Sequence, residues 1–260
     1  MTYKHWLVSL ENHLLRLTIN NPEKKNRLHR DLFLEFRDII AYIKQTPEVW
    51  AVIIEGAGGN FSSGVDVSLI GQMMGQNKET YQQGLVELQS IFDELESLEK
   101  LTIAKIDGYC LGGGVIMALC CDFRLAAEGS IFGLPEVKRS IGVIMGTQRI
   151  TRVAGIAAAK QMILLGDNFD ASQAKAYGLV NQVVASNALE EEVMALAQKF
   201  LKLPPLAVGV CKRIIQEGQF AERNGQDMEV DAQYDILHTQ DFQEAIKSFF
   251  EKREPKYQGK

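Results

Sequence analysis

The 260-residue sequence lacks the features that mark membrane, exported and zinc-binding proteins. Its four cysteines form no CxxC pair and no cluster with histidine at metal-ligand spacing, which argues against a metal site and favours a reducing compartment. No apolar run approaches the roughly 18 residues of a membrane span, and the first residues lack the apolar core of a signal peptide. We therefore expect a cytoplasmic protein with no metal and no membrane partner.

Positive charge is not in excess either. The chain holds 28 Lys and Arg against 33 Asp and Glu, which gives a net charge of −5. Nucleic-acid and anionic-membrane partners favour a basic excess, so the sequence predicts neither, although a local basic patch for a phosphorylated ligand stays possible. The length fits one large domain, or one domain with an appendage.

Strand and helix patterns alternate through roughly the first 185 residues. Alternating apolar residues at 6–19 predict a β-hairpin, and short apolar runs typical of buried strands follow at 49–54, 101–106 and 123–126. Helical periodicity is found at 31–45, 78–98, 114–121, 146–165 with a break at Gly155, 187–202 and 206–254. The pattern predicts an α/β core over 1–203 and a helical C-terminal region over 204–260.

Two glycine-containing turns are candidate binding sites. Gly64 lies between a strand and a helix, allows a positive φ that exposes the next backbone N–H, and is followed by Asp66 as a plausible N-cap. The triplet 112–114 stands directly before an apolar helix, whose first N–H groups favour an anion. The triplet matches neither a dinucleotide-binding nor a Walker motif. The first turn is equally compatible with an ordinary strand–helix connection.

Glu136 is the candidate catalytic side chain. It follows Pro135 in an otherwise apolar stretch, and a glutamate in an apolar pocket has a raised pKa that suits proton transfer near neutral pH. A surface glutamate in a loop would give the same pattern. No GxSxG or HExxH motif is present and the four histidines are scattered along the sequence, so serine-nucleophile and zinc chemistry are poorly supported.

Together these segments resemble the enoyl-CoA hydratase/isomerase family, the crotonase superfamily. The stretch from Ile103 to Phe123 fits the family signature, and Gly-Thr-Gln-Arg at 146–149 is a second specific match. The resemblance covers nearly the whole chain. It implies an α/β spiral of ββα units whose C-terminal helical region forms trimers, often paired into hexamers, and an acyl-CoA substrate, so that coenzyme A is part of the substrate and no cofactor is needed. Apolar residues in the tail agree with an oligomer.

The resemblance also assigns the site. It implies that the backbone N–H groups of Val65 and Gly113 bind the thioester oxygen and stabilise the enolate formed there. Other positions expected to contact the substrate or its CoA are Lys24, Lys25, Ser63, Gly64, Asp66, Gly112 and Lys252. For the three lysines, a solvated surface position is at least as compatible with the sequence.

The sequence departs from the hydratase pattern at one position. Family hydratases carry two glutamates, and the first of them, two residues after the glycine triplet, is Ile116 here, whereas the second is Glu136. Adding water needs groups that position the water and move protons, which isoleucine cannot do. Moving a double bond from the 3,4 to the 2,3 position needs one shuttling base. The arrangement resembles the Δ3,Δ2-enoyl-CoA isomerases, and we predict that activity with Glu136 as the proton shuttle.

Several alternatives stay open. One is a hydratase that takes its second acid from elsewhere, and another is a decarboxylase or dehydratase of polyketide tailoring that acts on an acyl-carrier-protein thioester. A third is a non-catalytic subunit that binds acyl-CoA, or RNA as some relatives do; the retained Glu136 and the acidic balance argue against these two forms. A dienoyl-CoA isomerase is disfavoured because its extra aspartate is replaced by Ile144. The acyl chain length, shaped by 67–85, is not predicted.

Overall fold

A computed structural model describes residues 2–66, 68–69, 76–139, 141–143, 145–218, 235 and 238–260. The strands are β1 (Trp6–Glu11), β2 (Leu14–Ile19), β3 (Ala51–Gly56), β4 (Leu101–Ile106), β5 (Tyr109–Leu111), β6 (Phe123–Ala127), β7 (Ile131–Gly133), β8 (Asn168–Asp170) and β9 (Gln182–Val184). The helices are α1 (Arg30–Gln45), α2 (Lys78–Glu96), α3 (Gly113–Leu119), α4 (Thr147–Leu165), α5 (Ala171–Ala176), α6 (Leu189–Phe200), α7 (Pro205–Glu217) and α8 (Gln240–Glu251). Strands followed by helices make this a mixed α/β fold, as predicted.

A six-stranded sheet in the order β1-β2-β3-β4-β6-β9 forms the centre of the fold. The predicted hairpin pairs β1 with β2 antiparallel, and every later neighbour is parallel. Strand β3 reads as a continuous apolar run because both faces are buried. Val52 and Ile54 point into the main core, whereas Ala51 and Ile53 join a second cluster that packs under α6.

A second sheet, in the order β5-β7-β8, was not predicted. Its strands have three residues each, which is too short for an alternating pattern to be recognised in the sequence. An isolated bridge between Ser62 and Cys110 ties this sheet to the chain after β3. The small sheet matters for function because β5 leads into the glycine triplet and β7 leads towards Glu136.

The C-terminal helices are fastened to the core by buried polar contacts. The Lys212 ammonium group on α7 is 2.8 Å from Oδ2 of Asp122 and donates to the carbonyl oxygen of Lys100 at 3.0 Å. The same carboxylate oxygen accepts the N–H and the hydroxyl of Thr102. Near the chain end, Asp241 is buried and accepts two backbone N–H groups of the tail. These contacts satisfy charges that would be costly to bury unpaired.

Apolar side chains of this region are exposed in the single chain. Ile215, Phe249 and Phe250 are 69%, 76% and 77% exposed, while Phe220 and Ile236 lie outside the described residues. No single helix of the described ranges is long and apolar enough to cross a membrane; one pair, Ser186–Phe200 with Pro205–Glu217, meets the length and composition only when combined across a bend of 103°.

Replacing Lys212 by alanine is expected to lower the free energy of unfolding by about 3 kcal/mol, because Asp122 is left buried without its partner. The matched control is the neighbouring Arg213→Ala, whose 3.5 Å ion pair with Glu99 joins side chains that are 42% and 51% exposed, and which should cost less than about 1 kcal/mol. Urea unfolding of the two variants measures both values. Equal losses would show that the Lys212 pair does not fasten the helix.

Candidate active site

The turn at Gly64 orients the N–H of Val65 away from the neighbouring segment, which contains Leu28. Leu28 donates its N–H to the carbonyl of Gly64 at 2.9 Å and accepts the N–H of Asp66 at 2.8 Å. This parallel bridge uses the groups on either side of Val65, so the N–H of Val65 itself points to the opposite side. Gly64 has φ of +92°, a conformation that a residue with a β-carbon adopts at a cost.

The backbone nitrogen of Gly113 lies near that of Val65. Gly113 is the first residue of α3, so its N–H has no acceptor within the helix. A β-carbon on Gly64 would lie 3.4 Å from the nitrogen of Gly113, and a β-carbon on Gly113 would lie 3.4 Å from the nitrogen of Val65. Among the described residues, neither N–H donates to a protein acceptor. Two N–H groups without an acceptor, this near to each other, are the donors that an oxyanion hole requires.

The glycines of the triplet are needed for close approach of the surrounding groups. Gly112 has φ of +50°, and a β-carbon there would lie 2.7 Å from Oε1 of Glu136. A β-carbon on Gly114 would lie 2.9 Å from the β-carbon of Ser62. The triplet therefore allows the Glu136 carboxylate and the Gly64 turn to approach one helix end closely.

Glu136 lies in a short 3-10 turn after β7 and is half-buried. Burial raises the pKa of its carboxyl group, an effect opposed by the hydrogen bond from its own backbone and by the charge of Arg139. Its Oε2 is shielded from solvent and has no hydrogen-bond partner among the described residues. A carboxylate with one unpartnered oxygen and a raised pKa can accept and return a proton.

Both N–H donors and Glu136 line one cavity of about 80 Å³. Its walls come from α2, α3 and the segment before α4. The lining residues are Val65, Leu69, Tyr81, Leu85, Leu88, Gly113, Ile116, Glu136, Ile141, Gly142, Val143 and Met145. Among the described residues that line the cavity, only Glu136 has a carboxylate and only Tyr81 has a hydroxyl group. The cavity is an apolar pocket with a single base.

Ile116 occupies the wall of this pocket on α3 and is 2% exposed. A β-carbon on Gly146 would lie 1.8 Å from Cδ1 of Ile116, so the glycine leaves room for the isoleucine side chain. The position at which the family's hydratases carry their first glutamate is thus filled by packed hydrocarbon. The Gly-Thr-Gln-Arg match contributes the glycine that permits this packing, a role that the sequence did not reveal.

Ser63 and the two lysines of the preceding loop form one connected unit. Ser63 donates its N–H to the carbonyl of Lys25 at 2.8 Å and its hydroxyl to the carbonyl of Lys24 at 3.2 Å. The Lys25 ammonium group lies 4.1 Å from the centre of the Tyr109 ring. These contacts hold the loop against the Gly64 turn. CoA binding by Lys24 and Lys25 stays a prediction.

Asp66 makes a hydrogen bond of the kind expected of an N-cap, although the helix that it would begin lies largely outside the described residues. Its Oδ1 accepts the N–H of Ser68 at 2.9 Å, and its Oδ2 lies 3.1 Å from Nε of Arg27. Burial raises the pKa of this carboxyl group, but the hydrogen bonds from Ser68 and the charge of Arg27 outweigh it and lower the pKa overall. The carboxylate is outside the described lining of the pocket. Its contacts indicate that it fixes the segment that carries the Val65 N–H.

Other features were missed or lie away from the pocket. Lys252 follows the last residue of α8, has φ of +53° and is exposed, and it is not among the described residues that line the pocket.

His5 and His29 are scattered in the sequence, but their ring centroids lie 4.3 Å apart. With Asp31 they place possible ligand atoms within 4.8 Å of one another. The fold thus brings together two histidines that are far apart in the sequence. Nδ1 of His29 accepts a backbone N–H at the start of α1, which assigns that ring a capping role. Ile144 lies outside the described residues.

The sequence matches known enoyl-CoA enzymes over nearly its whole length. A sequence model described as enoyl-CoA hydratase/isomerase matches residues 9–260. The chain is 35% identical over 265 residues to the crotonyl-CoA hydratase of Syntrophomonas wolfei, with both chains fully covered. It is 30% identical to the peroxisomal Delta(3,5)-Delta(2,4)-dienoyl-CoA isomerase of Arabidopsis thaliana, covering 95% of this chain and 93% of that protein.

The fold gives the same result. The crystal structure of an enoyl-CoA hydratase from Bacillus anthracis superposes with a TM-score of 0.91 at 34% identity, covering 99% of this chain and 100% of that one. Similarity therefore extends over nearly the whole chain. The chain belongs to the enoyl-CoA hydratase/isomerase family, the crotonase superfamily.

Proposed function

We propose that the protein shifts the double bond of an enoyl-CoA thioester from the 3,4 to the 2,3 position, with Glu136 as the proton shuttle. The observation that carries this proposal is the pocket lining, in which Glu136 is the one carboxylate of the described residues and Ile116 replaces the other. An isomerisation of this kind needs one base that gives back the proton it takes. No water has to be positioned.

The reaction is written as two proton transfers through one enolate. The carboxylate of Glu136 takes a proton from C2, and the electron pair of the broken C–H bond moves into the thioester carbonyl. The resulting oxyanion accepts hydrogen bonds from Val65 and Gly113. The carbonyl then re-forms, the double bond moves to C2–C3, and C4 takes the proton back from Glu136. Substrate and product have the same atoms, and the carboxylate is regenerated.

The apolar lining supports this chemistry in two ways. A wall of aliphatic side chains excludes water, so the N–H donors act in a medium of low dielectric constant, where their hydrogen bonds to the enolate are strong. The same exclusion protects the enoyl product from hydration. The raised pKa of Glu136 has the same physical origin, since burial disfavours its charged form.

Hydration of 2-enoyl-CoA is the second candidate function. The observation that favours it is the similarity to proteins named as hydratases, including the crotonyl-CoA hydratase of Syntrophomonas wolfei. In this chain such a reaction would have to use Glu136 alone or with Tyr81, the other polar side chain of the described lining. The pocket offers no second carboxylate there, which is why we place isomerisation first.

We further propose a homo-trimer or hexamer, in the cytoplasm and without a cofactor. Large apolar side chains of α4 and α8 support the oligomer, since they are more than half exposed in the single chain: Ile156, Leu164, Leu165, Phe249 and Phe250.

The central experiment offers 3-enoyl-CoA and 2-enoyl-CoA side by side in an absorbance assay. We expect isomerisation of the first, and a fall of roughly 10²–10⁴-fold in Glu136→Gln, which keeps the shape but removes the base. Acyl-CoA binding should persist. The control is Glu128→Gln in an exposed turn, which should leave the rate unchanged. Efficient hydration of 2-enoyl-CoA with no turnover of the 3-enoyl isomer would contradict the proposal.

The pH dependence follows from the pKa of Glu136. The base acts as the carboxylate, so kcat/KM for isomerisation should fall as the pH drops through its pKa and level off above it. Because burial raises that pKa, we expect the midpoint of the acid limb above the value of about 4.3 of an exposed glutamate. A pH–rate profile on the free enzyme measures it. A midpoint at or below the exposed value would exclude a buried Glu136 as the base.

Replacing Ile116 by glutamate tests why the hydratase reaction is disfavoured. The new carboxylate lies in the same apolar pocket as Glu136, so the pKa of one of the pair should rise further. We expect weaker isomerisation and measurable hydration of 2-enoyl-CoA. Ile116→Leu, which conserves volume, should retain the wild-type preference. If a folded Ile116→Glu protein hydrates no faster than wild type, the isoleucine is not what decides between the reactions.

A further inference from the structure

A second cavity, of about 310 Å³, lies between α1 and α2, and we call it the distal groove. Arg30, Phe33, Leu34 and Arg37 contribute from α1, where their spacing puts them on one face. From α2, the lining includes Thr80, Gln83, Glu87 and Ile91. The reaction proposed above uses none of these residues.

The distal groove adjoins the catalytic pocket. Leu69 and Leu88 are half-buried and belong to the linings of both cavities. At about 100° per residue, α2 turns Leu85 towards the pocket and Glu87 towards the groove, with Leu88 between them. The partition between the two spaces thus includes two aliphatic side chains. The two cavities are therefore adjacent, and an acyl chain would have to pass Leu69 and Leu88 to reach the groove.

The chemistry of the groove is divided between an apolar floor and a basic rim. Phe33 and Ile91 are buried, and Leu88 continues this surface from the pocket. Arg30 and Arg37 are exposed at the rim, and neither forms an ion pair or a hydrogen bond with another described residue. Glu87 is the acidic side chain of the described lining. Two cations against one anion leave the rim with a net positive charge.

We propose that the distal groove binds the far end of an acyl chain that carries a terminal carboxylate, so that the substrate is an ω-carboxyacyl-CoA. This inference rests on the proposed function for the reacting end. Methylene groups fit the apolar floor, and a planar carboxylate matches the two-pronged donors of a guanidinium. An acyl chain that ends in a methyl group would offer neither arginine a hydrogen-bond acceptor. Since α2 with its side chains is about 10 Å across, the chain needs on the order of ten carbons.

Binding is tested first, with unreactive ligands of equal length. The mono-CoA thioester of decanedioic acid and decanoyl-CoA are titrated into the whole protein by calorimetry. We expect the ω-carboxy ligand to bind more tightly, and Arg30→Ala and Arg37→Ala each to weaken it by roughly three- to tenfold. Arginine to lysine should retain part of the affinity. Lys44→Ala, on α1 but paired with Glu94 outside the groove, is the control and should change nothing.

Decanoyl-CoA distinguishes the tail from the CoA moiety. If the arginine variants weaken decanoyl-CoA as much as the ω-carboxy ligand, the arginines bind the nucleotide phosphates and the proposal is wrong. Glu87→Gln should have the opposite effect and strengthen binding of the ω-carboxy ligand alone, since it removes the carboxylate found among the described residues of the groove. Equal binding of both ligands by wild-type protein would also overturn the inference.

Turnover is tested second, with ten-carbon 3-enoyl-CoA esters that end in a methyl or a carboxylate group. We expect a higher kcat/KM for the ω-carboxy substrate, and a rise in its KM alone in Arg30→Ala and Arg37→Ala. Isomerisation of neither substrate, with selective ω-carboxy binding intact, would contradict the proposed reaction and leave the groove assignment standing. Isomerisation of both at equal kcat/KM, unaffected by the arginine variants, would contradict the groove assignment alone.

Discussion

The close approach of backbone segments around the glycine turns is the constraint on which the site depends. At Gly64, Gly112 and Gly113, a β-carbon would come within 2.7 Å of a neighbouring atom. Two of these glycines also have a positive φ. Only residues without a β-carbon allow two backbone N–H groups and a carboxylate to share one small space. The proposed oxyanion hole is therefore a property of the backbone, and side chains are needed mainly to hold that backbone in place.

Buried polar side chains around the turns supply that support. Asn26 is fully buried with φ of +54°, and its amide bonds the backbone of Asn21, Ala57 and Asn60. The Ser62 hydroxyl donates to the carbonyl of Asn26 and accepts the N–H of Gly64. A chain of satisfied hydrogen bonds thus runs from the first loop to the turn that orients Val65. Such fully paired networks fix one geometry, since breaking any member leaves a buried group unpaired.

Chemistry at this site is decided by what surrounds the enolate. The N–H donors stabilise the same oxyanion whether a proton is moved or water is added, so they do not distinguish isomerase from hydratase. Under our proposal the wall on α3 makes that distinction, because Ile116, packed against Gly146, places hydrocarbon rather than a carboxylate in the pocket. The same apolar surroundings make the charged form of Glu136 costly, which suits a group that must be protonated and deprotonated in each cycle. Beyond Leu88, the surface changes from apolar to basic.

The sequence by itself determined the long elements and the chemical identities at the site. Periodicity located the hairpin, strand 101–106 and the helix broken at Gly155, because apolar spacing is a local property that burial imposes on each element. Matching motifs located Val65, Gly113, Glu136 and the missing second acid. The three-residue strands, the packing of Gly146 on Ile116 and the pairing of His5 with His29 were decided only by the tertiary structure. Each depends on contacts between residues far apart in the chain, and the local spacing of apolar residues does not reveal which distant residues come into contact.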